Sequence, residues 1–394
     1  MRVASIRPRI SQQKPNAMQS ILLNSFYLSD KIPPASEILS EINRIEALKL
    51  CDQELFITRS SRQLNIAKLI KGSALASKPR CVLVQVVALS TNFRDRGDLE
   101  LRMINPAISR YFIGSDFVGR IVAIGSDVGE LQIGDRVIPS HAYPDNGLVS
   151  VTASAGLLLI DSRRLLKVPD KITDPIAASF SVPYQTAYSL VRRSGVTESC
   201  SHAIVTAPRS ATSIAIMQIL GALDIPFSVI SRSELDEKSF GGLRAQRIIV
   251  VDPLKASFSD ELRGSLSTLD VSHVFDNFPD VYAYSLVPYL SHESVYMFAG
   301  LLDQGELFQE KSGHAILFSQ IIHRLMMKNI RFVGNCLGTD SDLVMALDLL
   351  LGSRINASVD SIYPYDQIGC FLKRSFESPS RIGKCVLVLS NVTK

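Results

Sequence analysis

With 394 residues, 46% of them apolar and 20% charged, the chain is long enough for more than one hydrophobic core and too apolar to be disordered. Its 42 basic and 38 acidic residues leave a formal net charge of +4, too balanced to favour nucleic acid as a partner. No apolar run is long enough to span a membrane, and Met1–Ala17 lacks the hydrophobic centre of a secretory leader, so a cytoplasmic location is expected.

Arg2, Arg7, Arg9 and Lys14 make residues 1–17 a basic stretch without acids, read as a flexible tail rather than a binding arm, with Met18 the candidate start of the folded part. Gln19–Leu23 and Glu54–Thr58 read as strands, and Ala35–Leu48 has helical spacing. Val82–Leu89 has the pattern of a central strand and runs into Ser90-Thr91-Asn92-Phe93-Arg94-Asp95. Polar groups at the end of a buried strand are costly unless solvated, paired or used, so Asn92, Arg94 and Asp95 are functional candidates, a solvated helix cap being the alternative. Gly114, Gly119, Gly125 and Gly134 bracket short apolar runs, as in the turns and bulges of a small, curved, barrel-like sheet, and Gly134-Asp135 fits a hairpin turn. Asp174–Arg193 reads as one or two helices, with a break marked by Pro175, Pro183 and Tyr184–Ala187.

The clearest stretch follows. His202–Thr206 is a strand, Ala207-Pro208-Arg209-Ser210 a break, Ala211–Leu223 an apolar helix, and Pro226–Ile230 and Arg247–Val251 two more strands. Buried β-branched runs around one helix predict a parallel β-α-β unit, whose first turn and helix N-terminus can hold a phosphate on backbone N–H groups. Strands at Val274–Asp276, Ser294–Gly300 and Ile330–Val333, helices over Ala315–Met327 and Asp340–Leu350, and a last strand, Cys385–Leu389, complete the pattern. The last strand is a candidate to complete the first sheet. The two halves differ in architecture, which predicts an α/β protein with a boundary at residues 165–175. Six cysteines without a Cys-x-x-Cys pair read as reduced, buried thiols rather than disulfides or a structural zinc site.

Asn92-Phe93-Arg94-Asp95, Gly114-Ser115-Asp116 with Gly119 and Gly125, Gly134–Val137, Thr186-Ala187-Tyr188 and Ile382-Gly383-Lys384 make residues 80–390 resemble the medium-chain dehydrogenase/reductase superfamily. The likeness is to its zinc-free quinone oxidoreductase and enoyl reductase branches. It implies a GroES-like, partly open barrel domain built from residues 18–168 and 326–394, around a Rossmann-type doubly wound parallel sheet over 169–325. NAD(P)H would lie between them. The resemblance places substrate and nicotinamide near Asn92, Arg94, Asp95 and His141–Pro144, and Thr186 and the Asn335 turn beside the cofactor. Asn92 would orient the nicotinamide ribose. Arg94, Tyr184 and backbone N–H groups would be donors to a carbonyl oxygen, while Tyr111, Tyr143, Tyr184 and water stay open as proton source. Relatives with a catalytic zinc carry Cys at or beside Thr91 and His-Glu where Ser115-Asp116 stands, and Asp116 alone cannot assemble a site, so no metal is expected. His141, isolated in a loop, is expected at the surface.

The relatives' glycine-rich turn stands here as Ala207-Pro208-Arg209-Ser210-Ala211-Thr212-Ser213, and Pro208 removes an N–H donor. In one reading the small side chains leave room, Ser210 or Thr212 caps the helix, Ala211 lines the turn and Arg209 supplies charge for a phosphate. In the other the space has filled and the domain is structural. Ser231-Arg232-Ser233 presents a hydroxyl and a cation where NAD sites carry an acid, so NADPH is the expected cofactor. The expected chemistry is hydride transfer to the β-carbon of a small or carrier-bound α,β-unsaturated carbonyl compound, or to a quinone. Zinc-free alcohol or carbonyl redox chemistry and a non-catalytic homologue are the alternatives. Ser294–Gly300 resembles the edge strand that pairs subunits in this family, which implies a homodimer.

Overall fold

The computed structural model describes residues 20–31, 44–50, 53–72, 74–103, 110–144, 147–149, 151–200, 202–235, 245–252, 258–301 and 314–389. The basic stretch 1–17, Met18 and Cys51 lie outside them.

The chain opens with β1 (Ser20–Ser29), β2 (Arg44–Leu50) and β3 (Gln53–Asn65), an antiparallel sheet in the order β1-β3-β2. The helix expected over Ala35–Leu48 fails where it can be seen, because Arg44–Leu50 are extended and paired along their whole length with β3. A full ladder outweighs a local helical preference of about 0.5 kcal/mol per residue. Next come α1 (Ile66–Gly72), β4 (Cys81–Ser90), α2 (Phe93–Met103), β5 (Asp116–Ile124), β6 (Arg136–Pro139), β7 (Leu157–Asp161), β8 (Leu165–Lys167), α3 (Asp174–Ala178) and α4 (Ser181–Ser194). They are followed by β9 (Ala203–Thr206), α5 (Ala211–Ala222), β10 (Phe227–Ser231), β11 (Ile248–Val250), α6 (Phe258–Leu266), β12 (Val271–Asp276), α7 (Pro279–Leu286) and β13 (Leu290–Phe298). The chain closes with α8 (His314–Met327), β14 (Arg331–Gly334), α9 (Asp340–Leu351), β15 (Val359–Pro364), α10 (Ile368–Glu377) and β16 (Lys384–Val388).

One sheet follows the open path β15-β16-β4-β5-β6-β8, with β7 also on β4. The final strand therefore returns to the first half, β16 lying antiparallel to β4. β5 crosses β4 with two shifts of register. Gly119 permits that crossing, since a Cβ there would fall 2.3 Å from Val84 Cγ1 and 2.7 Å from the Gln85 carbonyl oxygen.

The other large sheet is parallel throughout, in the order β11-β10-β9-β12-β13-β14. This is the doubly wound order, with its topological switch between β9 and β12, where loops at the carboxyl ends of the strands gather around ligands. α5 is apolar on nearly every side because Ile214, Ala215, Ile216, Met217, Ile219 and Leu220 are all buried between this sheet and its neighbours. Val87, Ala88, Val118, Ile138 and Val386 of the first large sheet share that core with α4 and α5.

Four sequence expectations need correcting here. β13 is interior, between β12 and β14, so Ser294–Gly300 is not an edge; β14 is. Arg331–Gly334 still belong to the parallel sheet, so the chain returns to the first sheet after Gly334, not at residue 326. The break between helices falls at Ser179–Phe180, and Tyr184–Ala187 lie inside α4, because Pro183 occupies its first turn, where a missing N–H leaves no helical bond unmade. The five described cysteines are unpaired thiols, but Cys336 and Cys370 are exposed rather than buried. Among the described residues no helix is long and apolar enough to cross a membrane.

Candidate active site

The polar run that ends β4 turns inward. Lys384, the first residue of β16, is buried and its Nζ donates to the Thr91 carbonyl at 2.5 Å, to Asn92 Oδ1 at 2.8 Å and to Asp116 Oδ2 at 3.1 Å. Asn92 Nδ2 donates to Ser115 Oγ at 2.8 Å and to Asp116 Oδ2 at 2.9 Å, so both amide hydrogens and one oxygen lone pair are spent inside the cluster. Val182 N, at the start of α4, donates to Asp116 Oδ1 at 2.8 Å. Burial alone would raise the Asp116 carboxyl. The Lys384 ammonium, and after it His141 and Val182 N, outweigh burial and hold it well below the usual carboxylate range. Asp95 sits one helical turn on, its Oδ2 accepting from Asn92 N at 2.9 Å and Ser115 Oγ at 2.9 Å. Burial pushes its carboxyl up to about 6 against those bonds and the charge of Lys384.

His141 is fully buried, not at the surface. Its Nδ1 accepts from Val149 N at 3.1 Å, which puts the proton of a neutral ring on Nε2, 3.7 Å from Asp116 Oδ1 and too far for a hydrogen bond. Gln185, which the sequence did not single out, is the tie that fixes this segment. Its Oε1 accepts from His141 N at 2.9 Å, and its Nε2 donates to the Thr339 carbonyl at 2.9 Å. Thr186, the next residue of α4, is buried beside it.

Tyr184 is not part of this constellation. It stacks on Phe180 with ring centroids 4.4 Å apart, and its hydroxyl lies 2.9 Å from Gln218 Oε1 on α5 and 3.0 Å from the Asn356 carbonyl. Its single hydrogen is committed within the core, and burial pushes the phenol above its ordinary pKa. As a candidate donor to substrate it is overturned. Asn335 is committed in the same way: Oδ1 accepts from Ser189 Oγ at 3.0 Å and from Arg193 Nη1 at 2.5 Å, while Nδ2 donates to the Leu337 carbonyl at 2.7 Å. Arg94 is exposed on the first turn of α2.

A second group lies at the carboxyl end of the parallel sheet. Ala207, in the place of a glycine, takes a left-handed backbone with φ +46°, a conformation that costs a non-glycine residue about 1–2 kcal/mol. Ser210 is the N-cap of α5, its hydroxyl accepting from Ser213 N at 3.2 Å. The N–H groups of Ala211 and Thr212, in the open first turn, have no intrahelical acceptor and point out of the helix end. The first turn of α5 carries no acid. Asn277 Nδ2 donates to Ser213 Oγ at 2.7 Å and to Ser210 Oγ at 3.2 Å, bracing the turn in place of the close glycine contacts. Beneath it, buried Asp276 accepts from Thr206 Oγ1 and the Tyr296 hydroxyl, each at 2.5 Å, and from Phe278 N at 2.9 Å. Burial raises its carboxyl to about 6. At the end of β10, Ser231 Oγ donates to the Ser233 carbonyl at 2.6 Å, and Arg232 is exposed.

The two groups face one another. Phe93, beside Asn92, meets Phe278, beside Asn277, edge to face at 5.7 Å. Tyr143 N donates to the Gly338 carbonyl at 2.8 Å, joining the His141 segment to the turn after β14. The donor set near Asp116 does not suit a divalent metal, because an ammonium already sits among Asn92, Thr91 and Asp116. Among the described residues no three His, Cys, Asp or Glu side chains converge on one point. A dinucleotide suits the second group better, through the capped helix start, the left-handed turn and the cations beside it.

A model of the alcohol dehydrogenase GroES-like domain matches residues 78–170. Quinone oxidoreductase-like protein 2 of Bos taurus is 28% identical over 165 residues, 41% of this chain and 44% of that protein, so the match spans less than half of either. Among solved structures, a crotonyl-CoA carboxylase/reductase superposes with a TM-score of 0.67 at 14% identity over 93% of both chains. A mycobacterial protein complexed with NADPH superposes with a TM-score of 0.62 at 19% identity over 78% of this chain and 92% of that one. At such identities the structural likeness speaks for the fold. Sequence motif, domain match and doubly wound topology agree: residues 78–170 match the alcohol dehydrogenase GroES-like domain, and the chain has the fold of the medium-chain dehydrogenase/reductase superfamily.

Proposed function

We propose that this protein is an NADPH-dependent, zinc-independent oxidoreductase that delivers hydride to the C=C bond of an α,β-unsaturated carbonyl compound or to a quinone. The observation that carries the proposal is the start of α5, where Ala207 keeps a glycine-like backbone and Ser210 caps the helix beside two arginines. A loop that had merely filled its space would have no need of a strained left-handed alanine. When bound, the reduced nicotinamide supplies the hydride. Ala211 and Thr212 N–H groups hold the pyrophosphate, and Arg232 with Ser231 and Ser233 recognises the ribose end. Arg94 is assigned to the substrate oxygen that gains negative charge. Asn92, saturated by Lys384, Ser115 and Asp116, fixes the corner from which Arg94 projects and does not itself grip the ribose.

Zinc independence is supported by Lys384, whose ammonium supplies the positive charge that a metal supplies in zinc-dependent relatives. The quinone oxidoreductase-like relative and the crotonyl-CoA carboxylase/reductase likeness support the acceptor class. The catalytic domain is proposed to comprise residues 18–168 with the segment after Gly334, and a homodimer to form through the exposed edge of β14. Calorimetric titration of the full chain with NADPH and NADH tests the proposal, followed by NADPH consumption with a cyclic enone and a benzoquinone in the presence of a chelator. Binding of NADPH and chelator-insensitive turnover are expected. Absence of binding by either coenzyme would end the redox assignment.

A further inference from the structure

We propose that Arg209 is a specificity-determining residue that grips the 2′-phosphate of NADPH together with Arg232, and does not serve the pyrophosphate that its place in the loop would imply. The assignment rests on the NADPH reading above. The Arg209 backbone is anchored, its carbonyl accepting from Gly383 N at 3.0 Å. From that anchor the side chain crosses from the end of β9 to the end of β10, where Nη2 donates to Ser233 Oγ at 3.3 Å and to the Glu234 carbonyl at 3.3 Å. Its head therefore reaches the loop that carries Arg232, at the place where the adenosine ribose rests in a doubly wound sheet.

Both of its partners are neutral oxygens at long distance. Among the described residues neither hydrogen bond of the Arg209 head is to a carboxylate, and Arg232 is exposed on the loop it reaches. Two guanidinium groups and a serine hydroxyl brought to one loop suit a phosphate monoester carrying nearly two negative charges far better than a neutral ribose diol. The Ser231–Ser233 turn is closed by its own hydrogen bond, which fixes the short loop that carries Arg232 and meets the Arg209 head. The pyrophosphate needs neither arginine, since the open turn of α5 offers backbone donors for it.

The test is calorimetric, on the full chain, with NADPH, NADH, 2′,5′-ADP and 5′-AMP as probes of the unchanged protein, Arg209→Ala, Arg209→Gln and Arg232→Ala. Arg209→Gln keeps a donor for Ser233 and Glu234 while removing the charge, so a loss it shares with Arg209→Ala does not reflect a disordered loop. Both Arg209 variants are expected to weaken NADPH and 2′,5′-ADP by about 10- to 100-fold and to leave NADH and 5′-AMP within about twofold. Equal weakening of NADPH and NADH would move Arg209 to the pyrophosphate. Tighter binding of both would make it a plug, and no change would make it a surface tether; each overturns the assignment while leaving the redox reading intact. Failure of the unchanged protein to bind either coenzyme overturns both.

Discussion

The knot at the end of β4 and the turn at the start of α5 handle charge in opposite ways. In the knot Lys384, Asp116, Asn92, Ser115 and Asp95 are buried or nearly so and spend their hydrogen bonds on one another. At the turn the buried network of Asp276, Thr206 and Asn277 lies underneath, while helix N–H groups and two arginines face outward. The first arrangement builds rigidity and consumes its own donors; the second braces a strained loop and keeps donors for something else. Similar polar residues thus close on one another in one place and leave donors outward in the other, and burial of the cation distinguishes them.

The contrast can be broken at its strongest point. Lys384→Met leaves Asp116 buried without its counter-ion and is expected to cost about 3–5 kcal/mol in urea unfolding, with Lys384→Met combined with Asp116→Asn recovering much of the loss. A Lys384→Met loss under about 1 kcal/mol would mean that the knot is wet and its charges exchangeable. Next in size are Asp95 and Asp276, whose folded pKa values of about 6 lie above the 3.8 of the unfolded chain. A carboxyl raised in this way stabilises fully below about pH 4, and that contribution is lost as pH rises through 6, amounting to on the order of 3 kcal/mol per group. Asp116, held low, acts in the opposite sense and loses its contribution as pH falls below the usual carboxylate range. Asp95→Asn and Asp276→Asn should therefore each flatten the part of the stability profile between pH 4 and 6; a profile unchanged in both would contradict their burial as acids.

Smaller effects sharpen the distinction. Tyr184→Phe removes a hydroxyl held by Gln218 and Asn356 and should lower stability by about 1 kcal/mol with turnover within about twofold. A hundredfold loss of kcat without loss of stability would return Tyr184 to the chemistry. Ala207→Gly relieves a φ of +46° and should stabilise by about 0.5–1 kcal/mol after the extra freedom of the unfolded glycine is counted, visible as a higher Tm. A lower Tm would mean that the alanine methyl is packed rather than strained.

Much of the architecture was legible in the residues. The β9-α5-β10 unit could be read because strand and helix periods differ, and Ser210 because capping is local chemistry confirmed by its bond to Ser213. The return of β16 to the first sheet was legible in outline, through the apolar run at Cys385–Leu389. Arg44–Leu50 was misread because a ladder with β3 overrode its spacing, and the edge assigned to Ser294–Gly300 passed to β14 because strand order is not written in any one strand.

What the sequence determined by itself was the kind of element most stretches form and the residue types that fill the turn at Ala207–Ser213, since both depend on residue type and near neighbours. Tertiary structure decided how the polar residues are used. Lys384 reaches Asn92 across 292 positions, Tyr184 turns from a candidate donor into core, and Arg209 is carried from one loop to the next. Those outcomes rest on through-space distance and burial, and pairing between distant segments sets both.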